Sequence, residues 1–217
     1  MYPAGNLFIP TAHGRLEAIL KEPRAGEELR GAALVLHPHP LGGGTMHNKV
    51  VFRAAAALNE AGLATLRINF RGVGLSTGAH DEGRGETEDA RAGLAYLVQK
   101  YPALSITLCG FSFGARVGME VGIHDPRVVN LISIGTPVDK YDFAFLKDCR
   151  KPILFVHGDA DEFGRADRVR ALAESLPPEA RAKVHIIERA DHFFAGRLDE
   201  LKRVITDWTR ERMRTEG

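Results

Sequence analysis

Short unbroken apolar runs alternate along this chain with stretches in which apolar residues recur every three or four positions. The runs at Gly31–His37 (GAALVLH), Ala64–Phe70, Ser105–Cys109, Asn130–Ile134, Ile153–His157 and Lys183–Glu188 have the length of strands. Because they do not alternate apolar with polar, they predict strands covered on both faces. Between them, Asn48–Ala61, Glu86–Gln99, Phe113–Ile123 and Asp167–Leu176 predict helices; in Glu86–Gln99 the residues Ala90, Leu94, Leu97 and Val98 share one face. Leu198–Met213 predicts a last amphipathic helix, and Leu7–Ile9 and Arg15–Leu20 two short strands ahead of the alternation. Strand and helix in strict turn predict an α/β fold: a mainly parallel, doubly wound sheet of about eight strands flanked by helices. No stretch rich in Pro, Gly or Ser divides the chain, so residues 1–217 are expected to form one domain. On such a sheet ligands sit outside the carboxyl ends of the strands, so the residues just after each strand are the ones to inspect.

Composition adds mainly exclusions. Among 217 residues, 29 Lys and Arg stand against 28 Asp and Glu, scattered rather than massed. That argues against a nucleic-acid footprint, a polybasic membrane patch or an acidic tail, and suits a small uncharged or mildly polar ligand. The 23 Gly and 11 Pro follow no repeat. Two cysteines make no disulfide framework and no C-x-x-C pair: Cys109 lies in an apolar run and reads as a packing residue, Cys149 as a spare thiol. The N-terminal stretch shows no basic segment followed by a long apolar one, and no run has membrane-spanning length, so a cytoplasmic protein is expected.

Directly after Ser105–Cys109 stands Gly110-Phe111-Ser112-Phe113-Gly114, a G-x-S-x-G between a strand and a helix. In that context a sharp, strained turn exposes the serine hydroxyl, and two residues without side chains let the neighbouring backbone close around it. The N–H of Phe113, at the helix start, is aimed where an oxyanion would form. A nucleophilic serine needs a neutral imidazole and a carboxylate that fixes the tautomer. After Ile153–His157 comes Gly158-Asp159-Ala160-Asp161-Glu162; after Lys183–Glu188 comes Arg189-Ala190-Asp191-His192. Only His185 and His192 follow the carboxylate cluster, and His185 lies inside a strand, so His192 is the expected base. Asp161 is the favoured acid, since a four-residue turn carries it over the sheet edge. Asp159 is better placed to bond the turn itself, Glu162 and Asp167 are lesser candidates, and His157 reads as structural.

These residues resemble the α/β-hydrolase superfamily over nearly the whole chain, and within it small bacterial members without a cap. The resemblance rests on five blocks in order: HPHPLGGGTMHN (37–48), NFRGVGLSTG (69–78), GFSFG (110–114), HGDADEF (157–163) and DHFF (191–194). It implies a triad of Ser112, Asp161 and His192. It also implies a second oxyanion N–H from the loop after Gly31–His37. Pro38 and Pro40 have none to give, which leaves Leu41, favoured, then His39 or a following Gly. Phe163-Gly164, where relatives often carry a Val-Pro-like pair, is a departure expected to lie clear of the triad. Members of this group are typically carboxylesterases or thioesterases.

The resulting expectation is a serine carboxylesterase acting on short-chain esters without metal or other cofactor. A thioesterase or acyltransferase would use the same triad, and a non-catalytic binding protein is the remaining alternative. His37, His39 and His47 offer an H-x-H pair but no third ligand at motif spacing. Gly42-Gly43-Gly44 lacks the Lys-Ser/Thr of a phosphate loop; Met46 and Asn48 are expected to support the loop instead. Gly135–Pro152, where caps are often inserted, is short; its Tyr141, Phe143, Phe145 and Leu146 are either the core face of one short helix or the wall of an acyl pocket. The expected partner is a small-molecule ester, with neither nucleic acid nor membrane; an apolar strip on Leu198–Met213 would suit a homodimer.

Overall fold

The structure, a computed structural model, describes residues 7–215; the first six residues of the N-terminal stretch lie outside them. Eight strands form one sheet: β1 (Leu7–Thr11), β2 (Gly14–Lys21), β3 (Gly31–Leu36), β4 (Leu63–Ile68), β5 (Ile106–Phe111), β6 (Val128–Ile134), β7 (Ile153–Gly158) and β8 (Lys183–Ile187). Their order is β1-β2-β4-β3-β5-β6-β7-β8. β1 pairs antiparallel with β2 and β2 antiparallel with β4; every other pairing is parallel. The helices are α1 (Lys49–Glu60), α2 (Arg84–Lys100), α3 (Phe113–His124), α4 (Ala166–Glu174) and α5 (Leu198–Thr215).

The unbroken apolar runs are explained by two cores, one on each side of the sheet. In β3 all six residues are buried. Ala32, Leu34 and Leu36 face the layer of α2, α3 and α4, while Ala33 and Val35 face that of α1 and α5. Each large aliphatic or aromatic side chain buried this way stabilises the fold by roughly 1.5–3 kcal/mol. Both cysteines are buried, Cys149 included. One boundary differs from expectation in a way that matters: β5 runs on past Cys109 to Phe111, while α3 begins at Phe113 as expected, so a single residue, Ser112, makes the turn. The Gly135–Pro152 segment contains only a 3₁₀ turn at Ala144–Asp148; Phe143 and Leu146 join the core and Tyr141 and Phe145 stay half-buried. Among the described residues, no helix is long and apolar enough to cross a membrane.

Two buried histidines brace the carboxyl edge of the sheet. His37, just past β3, accepts the N–H of Phe70 on Nε2 (3.0 Å), so its proton sits on Nδ1 and is donated to Pro38 O (2.6 Å). Burial lowers its pKa from the ordinary 6.5 to about 4. The folded protein therefore refuses a proton that the unfolded chain takes up below pH 6.5, and stability falls as pH drops from 6.5 toward 4. His37 alone contributes about 3 kcal/mol to that fall, at 1.36 kcal/mol per pH unit. Urea unfolding of His37→Gln, less stable at pH 7, should show a pH dependence between 7 and 4 that is flatter by this amount; an unchanged slope contradicts the account.

Candidate active site

Ser112 sits at φ 55°, ψ −119°, a conformation that costs an ordinary residue about 1–3 kcal/mol. Its backbone is pinned from both sides: its N–H donates to Ile134 O on β6 (2.9 Å), and its C=O accepts from Ala115 (2.9 Å) and Arg116 (3.2 Å) in the first turn of α3. The flanking glycines make the packing feasible. A Cβ on Gly114 would stand 2.5 Å from His37 O, and one on Gly110 would overlap the Gly114 carbonyl. A serine preceding a helix ordinarily caps it with its hydroxyl. Ser112 makes no such bond, so Oγ is turned away from the helix. Among the described residues, nothing accepts the N–H of Phe113.

Oγ instead lies 2.9 Å from His192 Nε2, and His192 Nδ1 lies 2.8 Å from Asp161 Oδ2. The Asp161 carboxylate only accepts, so Nδ1 carries the proton and Nε2 accepts from the serine hydroxyl. Asp161 and His192 are both buried and Ser112 is half-buried. Asp161 Oδ1 accepts the N–H of Phe163 (2.8 Å), which fixes the carboxylate plane. Asp161 thus bonds its own turn and the imidazole together; Asp159 is exposed, and Glu162 and Asp167 do not take part. His185 faces α5, 4.0 Å from Glu200. His157 is structural: it accepts the N–H of Thr136 on Nδ1 (3.1 Å) and donates Nε2–H to Gly164 O (2.6 Å), tying the turns after β6 and β7 together. Burial holds its pKa below the ordinary histidine value, so it stays neutral.

Sequence reasoning missed three features here. β6 stands between β5 and β7, and its turn residue Gly135 (φ 54°) lies under the imidazole; a Cβ there would be 3.1 Å from His192 Cε1. Phe163 does touch the triad: its ring centroid is 4.5 Å from that of His192, which Phe111 (5.0 Å) and Phe193 (5.3 Å) also flank. Beside Phe113, His39 and His80 lie ring to ring, backed by buried Glu86. The sequence signal for Glu86 was present, three residues after Gly83 at the start of α2, where a glutamate reaches back to a free N–H.

The expectation for Leu41 needs correction. Pro40–Gly42 forms a 3₁₀ turn, and His39 Nδ1 accepts the Leu41 N–H at 3.2 Å, so that donor is used locally while the side chain is exposed. No described residue accepts the N–H of His39. Met46 supports the loop as expected: its N–H donates to Asn69 Oδ1 (2.8 Å) and its C=O accepts from Arg67 (2.7 Å). Asn69 is held in turn by buried Glu17 (2.8 Å), which also accepts the Leu75 N–H. Asn48 caps α1 instead of the loop. His37 spends both ring nitrogens on backbone, and no group of three or more His, Cys, Asp or Glu among the described residues is arranged for a metal ion.

Residues 31–210 match the model of the alpha/beta hydrolase domain. The chain belongs to the alpha/beta hydrolase family. An uncharacterized protein of Rickettsia prowazekii (strain Madrid E) is 44% identical over 183 residues, 81% of this chain and 77% of that protein. An alpha-beta serine hydrolase homologue from Coxiella burnetii superposes with a TM-score of 0.88 at 39% identity, covering 95% of this chain and 98% of the other. A serine hydrolase without lid from Xanthomonas campestris gives 0.87 at 33%, covering 97% and 96%. The hydrolase described here likewise has no cap, its sheet running from β6 to β7 through the short segment 135–152.

Gly135→Ala tests how tightly the imidazole is placed. The new methyl group meets both His192 and the Phe111 ring, and the positive φ adds strain. The variant should stay folded, and any substrate that the wild type hydrolyses through His192 should be turned over about 10²-fold more slowly, the order expected for a displacement of about 1 Å at a reacting centre. An unchanged kcat would mean that the imidazole is not confined by this turn.

Proposed function

We propose that this hydrolase cleaves carboxylic esters through an acyl-enzyme on Ser112. The observation that carries the proposal is the continuous Ser112–His192–Asp161 relay, 2.9 and 2.8 Å, on a serine held at positive φ. Ser112 Oγ attacks the acyl carbon while its proton passes to His192 Nε2, and Asp161 holds the resulting imidazolium. The tetrahedral oxyanion faces the N–H groups of Phe113 and His39, two backbone donors without an internal acceptor. Collapse breaks the ester bond, and His192 hands its proton to the departing alcohol oxygen. Water, giving a proton to the same nitrogen, then attacks the acyl-enzyme; the acid leaves and Ser112 recovers its hydrogen.

Absence of a cap over the sheet edge favours short, soluble acyl groups. Ser112→Ala should lower 4-nitrophenyl acetate turnover by about 10⁴-fold or more, and Asp161→Asn by about 10⁴-fold, since the asparagine permits the wrong imidazole tautomer. Among 4-nitrophenyl esters of rising acyl length, kcat/KM should be highest for the short ones. Turnover within tenfold of wild type in Ser112→Ala would overturn the mechanism. Faster turnover of short acyl-CoA thioesters than of any ester would make the protein a thioesterase with the same relay.

A further inference from the structure

The two sides of Ser112 are chemically unlike. On one side His192 is enclosed by Phe111, Phe163 and Phe193. On the other, the Phe113 ring is surrounded by His39 (4.9 Å), Phe70 (5.9 Å), His80 (5.7 Å) and Tyr141 (6.2 Å). The two sets share no member. A departing alcohol must lie next to His192 to receive its proton, so the acid portion of the ester is directed to the His39–His80 side.

That side carries polar groups that ester hydrolysis itself does not use. The rings of His39 and His80 are 4.8 Å apart and both half-buried. Glu86, fully buried, accepts the N–H of Gly83 (2.8 Å) and of Asp81 (3.1 Å), and His80 Nδ1–H donates to it at 2.8 Å. This repeats the carboxylate–imidazole pairing of Asp161 and His192, a few ångströms from the elbow, with no serine in front of it. His39 accepts the Leu41 N–H on Nδ1, which leaves its proton on Nε2. Burial and then the neighbouring His80 hold the His39 pKa below the ordinary value, so His39 stays neutral with that one N–H to offer. Among the described residues, neither Nε2 has a hydrogen-bond partner.

Resting on the ester-hydrolase reading above, we infer that His39 and His80 form a subsite for an anionic group on the acid portion of the ester, so that half-esters of short dicarboxylic acids are preferred over neutral esters. A carboxylate there accepts from His39 Nε2–H, and the imidazolium form of His80, which donates from both ring nitrogens, offers a second donor with Glu86 as its counter-charge. The adjoining cavity of about 350 Å³, which Phe113 and Tyr141 also line, does not set the preference by net charge, because Arg84, Arg91 and Arg116 in its wall are matched in number by Glu82, Glu88 and Glu120. The balanced charge of the whole chain is likewise compatible with a local anion site.

The test compares monomethyl succinate, glutarate and adipate with methyl butyrate, pentanoate and hexanoate, by methanol release. At one chain length at least, the half-ester should have a kcat/KM about 10- to 100-fold higher, the range of one charged hydrogen bond. In His80→Phe, which keeps a ring, the ratio should fall below about twofold through a rise in KM, and His80→Gln should restore part of it. The ratio is internal to each variant, so partial unfolding, which lowers both rates alike, does not move it. Half-esters no better than neutral esters in the wild type, or a preference that survives in His80→Phe, overturns the inference while leaving the ester hydrolase standing. No hydrolysis of either series overturns both.

Discussion

One backbone conformation organises the active face of this protein: Ser112 at φ 55° between a strand and a helix with no residue to spare. Isolated, that conformation is unfavourable by about 1–3 kcal/mol, and it survives because the surroundings admit no other. The N–H is bound to β6 and the carbonyl to α3; Gly114 lets the Leu36 and His37 carbonyls, and Gly110 the Gly114 carbonyl, approach as closely as a single Cβ would forbid. The consequence is chemical. A serine that would otherwise cap α3 is turned outward to meet an imidazole, and the first N–H of the helix is left without an acceptor.

The loops that complete the site are held by buried groups kept in one protonation state. His37 and His157 are neutral because burial disfavours their charged forms, and each joins two loops through backbone bonds that fix its tautomer. His37 positions the segment that carries His39; His157 joins the Thr136 turn beside Gly135 to the segment after Asp161. Glu17 and Asn69 do the same for Met46. The pair proposed to move protons, His192 with Asp161, thus stands beside two histidines that burial keeps neutral. These braces are polar and buried, so deleting one partner leaves the other desolvated and unpaired, which costs more than the bond itself contributes.

Much of this was legible from the order of residues. Strands buried on both faces write themselves as unbroken apolar runs, which is why β3 to β7 and the helices between them were recoverable; β8, at the sheet edge and mostly half-buried, was found all the same, and the strand ends pointed to Ser112, Asp161 and His192. What was hidden depends on side chains returning to the backbone or crossing between distant segments. Counting N–H groups in His39–Leu41 could not reveal that the His39 ring takes the Leu41 N–H. Phe163 looked incidental because its contact with His192 spans 29 residues. Gly135 appeared as one more glycine at a strand end, though the space it leaves is filled by an imidazole from another loop. His80 was unremarked for the same reason, since its meaning comes from buried Glu86 and from His39 across the fold.

The central claim is that Ser112 is made nucleophilic by its bond to His192 and not by exposure alone. Intact-mass analysis after brief treatment with a fluorophosphonate, followed by peptide mapping, measures this most directly. The account predicts one adduct per chain, located on Ser112, in the wild type, and almost none over the same interval in His192→Ala with its fold retained. Adducts forming at Ser112 equally fast in both proteins, or appearing on another residue, would contradict it.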